Sequence, residues 1–354
     1  MDLILQVADH IVLDNLYAKF VPVAAFLPPP TINGTIWEHS TWQHLASYLP
    51  HPPFPYEVYR SYPEQFLAPA SAWPRDYIPR QCLSLIITTL VGVHLLYFIF
   101  STFSYYFVFD HAMMKHPRFL KNQVRQEITM SLQSFPVMML LTLPWFEGEV
   151  LGYSKLYDNI DEYGWAWFFL SIPAYAVFST FSASLTSFLN SNSIFRFLVF
   201  TDYCIYWIHR LEHHPRIYKH VHKPHHKWII PTPFAAYAFH PVDGYLQSLP
   251  YHIFPYLFPV QKHLHLALFV GVNVWTVFIH DSDMITGHWL ENIINGPAHH
   301  TLHHLYFTVN YGQYFTWADK AGGSYRQPDS SLDPMLEVKG LQAEKETVSP
   351  GKSL

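Results

Sequence analysis

Long stretches without charged side chains separate short charged segments over much of the chain. No Asp, Glu, Lys or Arg occurs in residues 81–109, 128–146 or 163–195, which are 29, 19 and 33 residues long. Because about 20 consecutive apolar residues let a helix cross a bilayer, each stretch predicts a membrane helix. The pattern therefore predicts an all-α, multi-pass membrane helix bundle whose first transmembrane helices lie within residues 81–200.

The last hydrophobic region, residues 244–280, differs from the first three because it is interrupted. Pro250, Pro255, Pro259 and Lys262 fall inside it. Proline ends or kinks a helix, so we expect two short segments or a re-entrant hairpin here rather than one straight span.

The two ends of the chain lack a membrane pattern. Residues 1–80 are rich in proline, so long regular helices are not expected there. Residues 327–354 are polar and show no periodicity, and we expect them to be disordered. A glycosylation sequon at Asn33 matters only if the N-terminal region is lumenal.

Charge in the connecting loops predicts the orientation of the bundle. The first connection carries Lys115, Arg118, Lys121 and Arg125, whereas residues 147–162 carry five acidic residues and a single lysine. Positively charged loops remain on the cytosolic side, so the first connection is predicted to be cytosolic and the second lumenal. This orientation places the N-terminal region in the lumen and the part after the third span in the cytosol.

Composition narrows the class of protein further. Charged residues make up 13% of the chain, which is about half of the usual share and supports a membrane protein. A net charge of −5 argues against a nucleic-acid-binding protein, which would usually be basic. Two cysteines cannot form a thiolate zinc site, whereas the 24 histidines outnumber the 21 lysines and arginines together. Any bound metal ion would therefore be held by histidine.

Seventeen of the 24 histidines lie between His209 and His304, and eight of these form three boxes. The spacing of three or four residues within each box places two imidazoles on one face of a helix, where both can bind one ion. A lone histidine in an apolar chain is usually structural, but three clusters within aromatic sequence favour metal binding. The boxes consist of His209 and His213, of His222, His225 and His226, and of His300, His303 and His304.

Eight imidazoles are more than one ion can bind. Zinc takes four ligands, so the set fits two six-coordinate ions that keep open positions. Imidazole binds Fe, Zn, Cu and Ni, and the pattern alone does not choose among these metals. His280 at the end of the last apolar region and His240 are two further candidate ligands. A histidine-rich metal transporter is the alternative, although it would need polar ligands inside the spans.

Carboxylates near the boxes are candidates to orient the histidine rings and to offset the charge of the ions. The first is Asp202, which precedes His209 by seven residues and therefore lies on the same helix face. Asp243 and Asp281 are the other two candidates.

The boxes resemble those of the fatty-acid hydroxylase superfamily of membrane di-iron enzymes. The longer context is similar to the sterol C5-desaturase branch in its fungal form, over roughly residues 79–326. The boxes specify only the superfamily, whereas the segments between them specify the branch. The matching segments include Phe200-Thr201-Asp202, Tyr206-Trp207-Ile208, Phe239-His240-Pro241, Gln247-Ser248-Leu249-Pro250-Tyr251-His252, Asn310-Tyr311-Gly312-Gln313-Tyr314 and Gly322-Gly323-Ser324-Tyr325.

The resemblance implies that the eight box histidines bind two iron ions in a cytosolic cap, residues 201–326, of an endoplasmic reticulum membrane enzyme. The implied reaction uses O2 and electrons from NADH, passed by its reductase through cytochrome b5. The implied substrate is a Δ7-sterol from the bilayer, desaturated between C5 and C6 in ergosterol synthesis. A sterol C4-methyl oxidase or another lipid hydroxylase of the same superfamily would share the boxes and is the alternative.

A basic surface near the boxes would suit an acidic electron donor. The positive-inside rule accounts for the same residues without a partner, so both explanations stay open. The residues are Arg210, Arg216, Lys219, Lys223, Lys227 and Lys320.

One segment departs from the family pattern. About twenty polar residues, near 179–196, look inserted in the way that a retained intron in a gene model would. The departure concerns the path of the third span and leaves the boxes untouched.

Overall fold

The computed structural model describes residues 1–28, 31–32, 35–36, 38–53, 70–159 and 193–348, and within these residues nearly all regular structure is helical. The helices are α1 (Asp2–Ala8), α2 (Asp14–Phe20), α3 (Thr41–Ala46), α4 (Ile78–Phe107), α5 (Gln123–Val150), α6 (Ser193–Glu212), α7 (Pro215–Tyr218), α8 (Pro241–Leu257), α9 (Lys262–Ile279), α10 (Pro297–Tyr306), α11 (Trp317–Gly322) and α12 (Met335–Val348).

Short segments connect these helices. A π-helical segment, Asp9–Leu13, joins α1 to α2. The strands β1 (Thr31–Ile32) and β2 (Thr35–Ile36) pair antiparallel, and β3 (Leu156–Tyr157) pairs parallel with β4 (Val260–Gln261). Single 3-10 turns are formed by Val23–Phe26, His111–Lys115, His225–Lys227, Pro233–Tyr237, Trp289–Asn292 and Ser330–Leu332.

The chain forms two compact units. The first contains Met1–Thr89 and Glu149–Leu151, and the second contains Leu90–Gly148 and Gly152–Leu354. Helices α4 and α5 each contribute residues to both units. All the histidine boxes belong to the second unit.

The first unit begins with a helical stretch that the sequence did not predict. Residues 2–20 are helical without a break, so the expectation of no long helix in the proline-rich region is wrong for this stretch. The reason is that the first proline of the chain is Pro22. The buried guanidinium of Arg80 on α4 holds this stretch by an ion pair of 2.7 Å with Asp9 and by lying 4.5 Å over the ring of Tyr17.

Among the described residues, three helices, α4, α5 and α9, are long and apolar enough to cross a membrane. Large apolar side chains on α4 stay exposed, among them Leu95, Ile99 and Phe107, as expected of a surface that faces lipid. Two of the predicted spans fall on α4 and α5. The third, residues 163–195, lies outside the described residues except for the first turn of α6, as do Asn33 and nearly all of the segment that looks inserted.

The interrupted region 244–280 forms two helices, α8 and α9, joined by a short connection. Phe254 of α8 and Val272 of α9 pack with Phe197 and Ile205 of α6 in one buried cluster. This cluster holds the first two-thirds of α6 beside the hairpin. The predicted fold class, an all-α membrane protein, is confirmed, and the cytosolic placement of the histidine region stays a prediction.

The C-terminal tail contains a helix, α12, so the expectation of disorder over residues 327–354 is wrong for Met335–Val348. Met335 and Val338, one turn apart on α12, are buried with Phe109, Met113 and Ile230. Burial of these two apolar side chains stabilises α12, although most residues of the tail are polar. Residues 349–354 lie outside the described part of the chain.

Candidate metal centre

Five segments of the second unit carry nine histidines into one region. Helix α6 carries His209 near its end, and His213 follows in the next turn. The loop after α7 supplies His222, and the 3-10 turn that follows supplies His225 and His226. His280 caps the C-terminus of α9, and α10 presents His300, His303 and His304.

The five-histidine group consists of His209, His213, His222, His226 and His303, whose ligand nitrogens all lie within 4.8 Å of one another. Nε2 of His222 is 3.1 Å from Nε2 of His209 and 3.1 Å from Nε2 of His226. Nε2 of His226 is also 3.1 Å from Nε2 of His303. Four of the five side chains are buried, and His213 is partly exposed.

The four-histidine group consists of His225, His280, His300 and His304, all buried and again within 4.8 Å of one another. Nε2 of His280 is 3.3 Å from Nε2 of His225 and 3.0 Å from Nε2 of His300, which is 3.1 Å from Nε2 of His304. Two pairs of sequence neighbours, His225 with His226 and His303 with His304, are each divided between the two groups.

Hydrogen bonds from Nδ1 set the protonation of five of the nine rings. A carbonyl or carboxylate oxygen accepts, so Nδ1 of each of these rings donates and Nε2 presents its lone pair. Nδ1 donates to a backbone carbonyl in His209 (Tyr311, 3.0 Å), His280 (Thr276, 2.7 Å), His303 (Val309, 2.7 Å) and His304 (Trp228, 2.9 Å), and to the Asp243 carboxylate in His222 (2.8 Å).

The facing nitrogens fit a metal ion in each group. In the pair His209 and His222 both protons are on Nδ1, so neither Nε2 has a hydrogen to share across the 3.1 Å between them. Lone pairs at this distance repel each other unless a cation lies among them. Two nitrogens about 2.1 Å from one ion and at right angles would lie about 3.0 Å apart. The separations in both groups match this expectation.

Burial keeps these rings neutral and therefore ready to bind a cation. Loss of hydration, reinforced by the neighbouring ring His222, lowers the pKa of His209 to about 3. Burial and neighbouring imidazoles likewise hold the pKa of His226 and of His303 well below the ordinary value. A metal ligand must be deprotonated, so the site meets this requirement at neutral pH.

Asp243 is the one predicted carboxylate that contacts a histidine ring. Its Oδ2 accepts from Nδ1 of His222, and its Oδ1 accepts from Nε2 of Gln247 at 2.7 Å. Glu212 lies beside it, with Oε2 3.9 Å from Nδ1 of His222. Burial, and next the charge of Asp243, raises the pKa of Glu212 well above its usual range. Burial therefore favours the neutral form of Glu212 beside the Asp243 carboxylate.

Asp202 and Asp281 do not orient histidine rings, contrary to the prediction. Oδ1 of Asp202 accepts from the backbone N–H groups of residues 313–315, at 2.7 to 3.3 Å, and so shapes the loop after α10. Oδ1 of Asp281 accepts from the N–H of Asp283 at 3.0 Å and forms a local turn. Unsatisfied N–H groups in these loops take up the carboxylates because a buried donor without an acceptor is costly.

His240 lies in neither histidine group, in contrast to His280. It is the N-cap of α8, and its Nδ1 accepts from the N–H of Val242 at 3.3 Å. The ring therefore supplies the capping acceptor that a helix start needs. Its place beside Asp243 in the sequence reflects the start of this helix rather than the ion ligands.

Asp319 is a supporting residue that the sequence did not reveal. Its carboxylate accepts from the N–H groups of Tyr311 and Gly312, both at 2.8 Å, and from the hydroxyl of Ser324. It thereby holds the Tyr311 carbonyl against Nδ1 of His209. No spacing rule links Asp319 to a box, although it falls within residues 79–326, over which the family resemblance runs.

A largely apolar cavity adjoins both histidine groups. It has about 820 Å³ of empty space, counting the part open to the outside. His209 of the five-histidine group lines it, together with His225, His280 and His300 of the four-histidine group. Its other walls come from α8, α9, the 3-10 turn Pro233–Tyr237 and the loop at residues 312–313. Its largely apolar lining suits a lipid-like ligand.

Comparisons with known proteins agree with this architecture. The family model described as fatty acid hydroxylase matches residues 194–324. A Delta(7)-sterol 5(6)-desaturase of Gibberella zeae is 50% identical over 98% of this chain and 95% of its own length. One of Aspergillus fumigatus is 43% identical over 98% and 97% of the two chains. The lathosterol oxidase of Homo sapiens is 49% identical over 81% of this chain and 89% of its own.

No solved structure matches the chain. The similarity to the fungal relatives runs through the membrane helices as well as the boxes, and it spans nearly the whole length of both chains. The chain therefore belongs to the sterol 5(6)-desaturase family, a family of oxidoreductases within the fatty acid hydroxylases.

Proposed function

We propose that the protein introduces the C5–C6 double bond into a Δ7-sterol, with two iron ions bound by the two histidine groups. The observation that carries this proposal is the juxtaposition of two buried, neutral histidine groups with an apolar cavity that touches both. Iron is proposed because removing hydrogen from an unactivated C–H bond is redox chemistry, which zinc does not perform.

The residues of the chain divide the work in this proposal. When bound, the irons supply the oxidising chemistry. The nine histidines hold the ions with neutral donors, and Asp243 orients His222. The apolar cavity walls position the sterol rings and exclude water. Overall, two hydrogens leave the sterol, and O2 takes up these and two donor electrons with two protons to give two waters.

The electron supply and the location belong to the same proposal. Electrons from NADH would arrive through its reductase and cytochrome b5, which docks on the basic surface defined by the lysines and arginines near the boxes. The three apolar helices would place the enzyme in the endoplasmic reticulum membrane, with the histidine groups on the cytosolic side. The sterol would enter the cavity from the bilayer.

The test is sterol profiling in a desaturase-deficient yeast that expresses the full chain. The chain is expected to restore 5,7-diene sterols, whereas His222→Ala and His303→Ala are expected to produce none while still accumulating in the membrane fraction. His240→Ala is the matched control, because it removes a nearby imidazole that lies in neither group.

Two results would contradict the proposal in different ways. Equal 5,7-diene levels from His222→Ala, His303→Ala and the unmodified chain would show that the histidine groups do not form the reactive centre. Absence of dienes together with a changed C4-methyl sterol profile would move the chain to the C4-methyl oxidases. Iron analysis of the purified protein, expected at two ions per chain, checks the metal separately.

A further inference from the structure

Gln313 lines the cavity between two residues, Thr276 and Tyr311, whose backbone carbonyls orient a histidine ring of each group. Its Nε2 donates to Oγ1 of Thr276 at 3.1 Å, and the carbonyl of Thr276 accepts from Nδ1 of His280. Two residues before it, the carbonyl of Tyr311 accepts from Nδ1 of His209. The side chain of Gln313 therefore contacts the residue that supports His280, and its backbone is two residues from the one that supports His209.

The amide of Gln313 has hydrogen-bonding capacity to spare. A primary amide can make four hydrogen bonds, and among the described residues the bond to Thr276 is the one that its side chain makes. The hydroxyl of Thr276 is occupied, since it also donates to the carbonyl of Val272 at 2.9 Å. Of these two neighbouring residues, Gln313 is therefore the one that can form further hydrogen bonds to a ligand in the cavity, which it lines.

The chemistry of a sterol limits where its polar end can lie. A sterol carries one hydroxyl, on C3 of its first ring, and C5 and C6 are two and three bonds from C3. With C–C bonds of about 1.5 Å, the hydroxyl oxygen is about 4–5 Å from the carbons that react. A group that binds this hydroxyl must therefore lie next to the metal centre, not at the far end of the cavity.

Other polar side chains in the cavity meet this requirement less well. Asn273 is seven residues before His280 on α9, about 10 Å along the helix axis, and its Oδ1 already accepts from Tyr237 at 2.6 Å. Gln247 is engaged by two carboxyl groups, since it donates to Asp243 and also hydrogen-bonds Glu212. Ser248 donates to the carbonyl of Tyr245 within its own helix.

Resting on the proposed function, we propose that the side-chain amide of Gln313 binds the ring hydroxyl of the sterol and thereby sets C5 and C6 against the metal centre. Oε1 accepts from the hydroxyl, and the second N–H of the amide is available to donate to it. Thr276 fixes the plane of the amide. This contact makes Gln313 a specificity-determining residue for 3-hydroxylated substrates.

The experiment compares two substrates with the full-length, iron-loaded protein. Initial rates are measured for a Δ7-sterol and for its 3-deoxy analogue, with the unmodified chain, with Gln313→Met and with the control Ser248→Ala. Methionine keeps the length of the side chain and removes the amide. Iron content is measured for each protein, because loss of iron would lower both rates alike.

The unmodified chain is expected to prefer the hydroxysterol by about 10- to 100-fold in kcat/KM, the effect of one buried hydrogen bond. Gln313→Met is expected to lose most of this preference by becoming slower on the hydroxysterol alone, whereas Ser248→Ala keeps it. Equal loss on both substrates, or a preference that survives in Gln313→Met, would overturn the assignment. No desaturation of either substrate by the unmodified chain would instead overturn the proposed function.

A second variant keeps the assignment testable if Gln313→Met fails to accumulate. Thr276→Val retains the backbone carbonyl that supports His280 and removes the hydroxyl that anchors the amide. The preference for the hydroxysterol is expected to fall about threefold to tenfold in this variant. An unchanged preference in Thr276→Val would count against the assignment.

Discussion

The two histidine groups differ in ligand number, in support and in access to the cavity. The five-histidine group has one ring, His209, on the cavity wall and the buried Asp243 carboxylate behind His222. The four-histidine group has three of its four rings on the wall, and Nδ1 of His280 and of His304 donates to a backbone carbonyl. A carboxylate offsets more cationic charge than a carbonyl, so the supports are unequal.

This difference suggests a division of roles. A six-coordinate ion in the five-histidine group would keep one open position, whereas one in the four-histidine group would keep two. The four-histidine group also presents more of its rings to the cavity, three against one. In the proposed centre, the five-histidine group would therefore hold its ion more firmly, and the four-histidine group would be more exposed to the substrate.

The strongest test of this comparison removes one ligand from each group. His280→Ala leaves three ligands in its group, and His213→Ala leaves four in the other. Both are expected to lower activity by more than about 100-fold, beyond the usual effect of a supporting residue. Iron content distinguishes them: about one ion per chain in His280→Ala and closer to two in His213→Ala. Equal iron content in the two variants would show that the two groups do not differ in how tightly they bind iron.

The carboxylate support is tested by Asp243→Asn, which keeps the shape and removes the charge behind His222. A loss of about 10- to 100-fold in iron affinity or activity is expected, as for other residues that support metal ligands. Asp281→Asn is the control, because Asp281 is equally buried but bonds to a turn. The two affinities are compared by iron titration of the metal-free proteins, and equal values would show that Asp243 gives no special support.

Helix α12 packs behind the four-histidine group, since its cluster includes Leu305, the neighbour of His304. Met335→Ala is expected to cost about 2 kcal/mol in the free energy of unfolding, through loss of buried apolar contact. Leu336→Ala, at a side chain that is 48% exposed, is the control and should change it by less than about 0.5 kcal/mol. Thermal unfolding in detergent measures both variants. Equal changes in the free energy of unfolding would show that burial of Met335 does not stabilise the fold.

The smallest effect is expected at His240, outside both groups. His240→Ala removes a helix cap and should lower stability by about 1 kcal/mol while leaving iron content unchanged. Metal analysis of the purified variant decides the point. A loss of iron would mean that His240 reaches an ion after all.

The sequence predicted which histidines come together better than it predicted what supports their rings. Box spacing pointed to eight of the nine rings because residues three or four apart share a helix face. His280 was found by its place at the end of an apolar segment. Asp202 failed because a shared helix face with His209 does not reveal that a distant loop, residues 313–315, offers three N–H groups to the same carboxylate.

Some supports carry no side-chain signal at all. The carbonyls of Tyr311, Thr276, Val309 and Trp228 bind Nδ1 atoms, and any residue type could supply them. Their positions depend on how separate helices pack, which periodicity does not encode. Helix α12 was missed for a related reason, since two buried apolar residues, Met335 and Val338, anchor a segment whose other residues are mostly polar.

The divided neighbours have a consequence for assembly. His225 and His226 share one backbone turn, and so do His303 and His304, yet each pair serves two different ions in the proposed centre. Fixing one member by a metal bond also orders its neighbour, which removes part of the entropic cost of the second site. Uptake of the two ions should therefore be cooperative, with singly loaded protein scarce at intermediate iron concentrations.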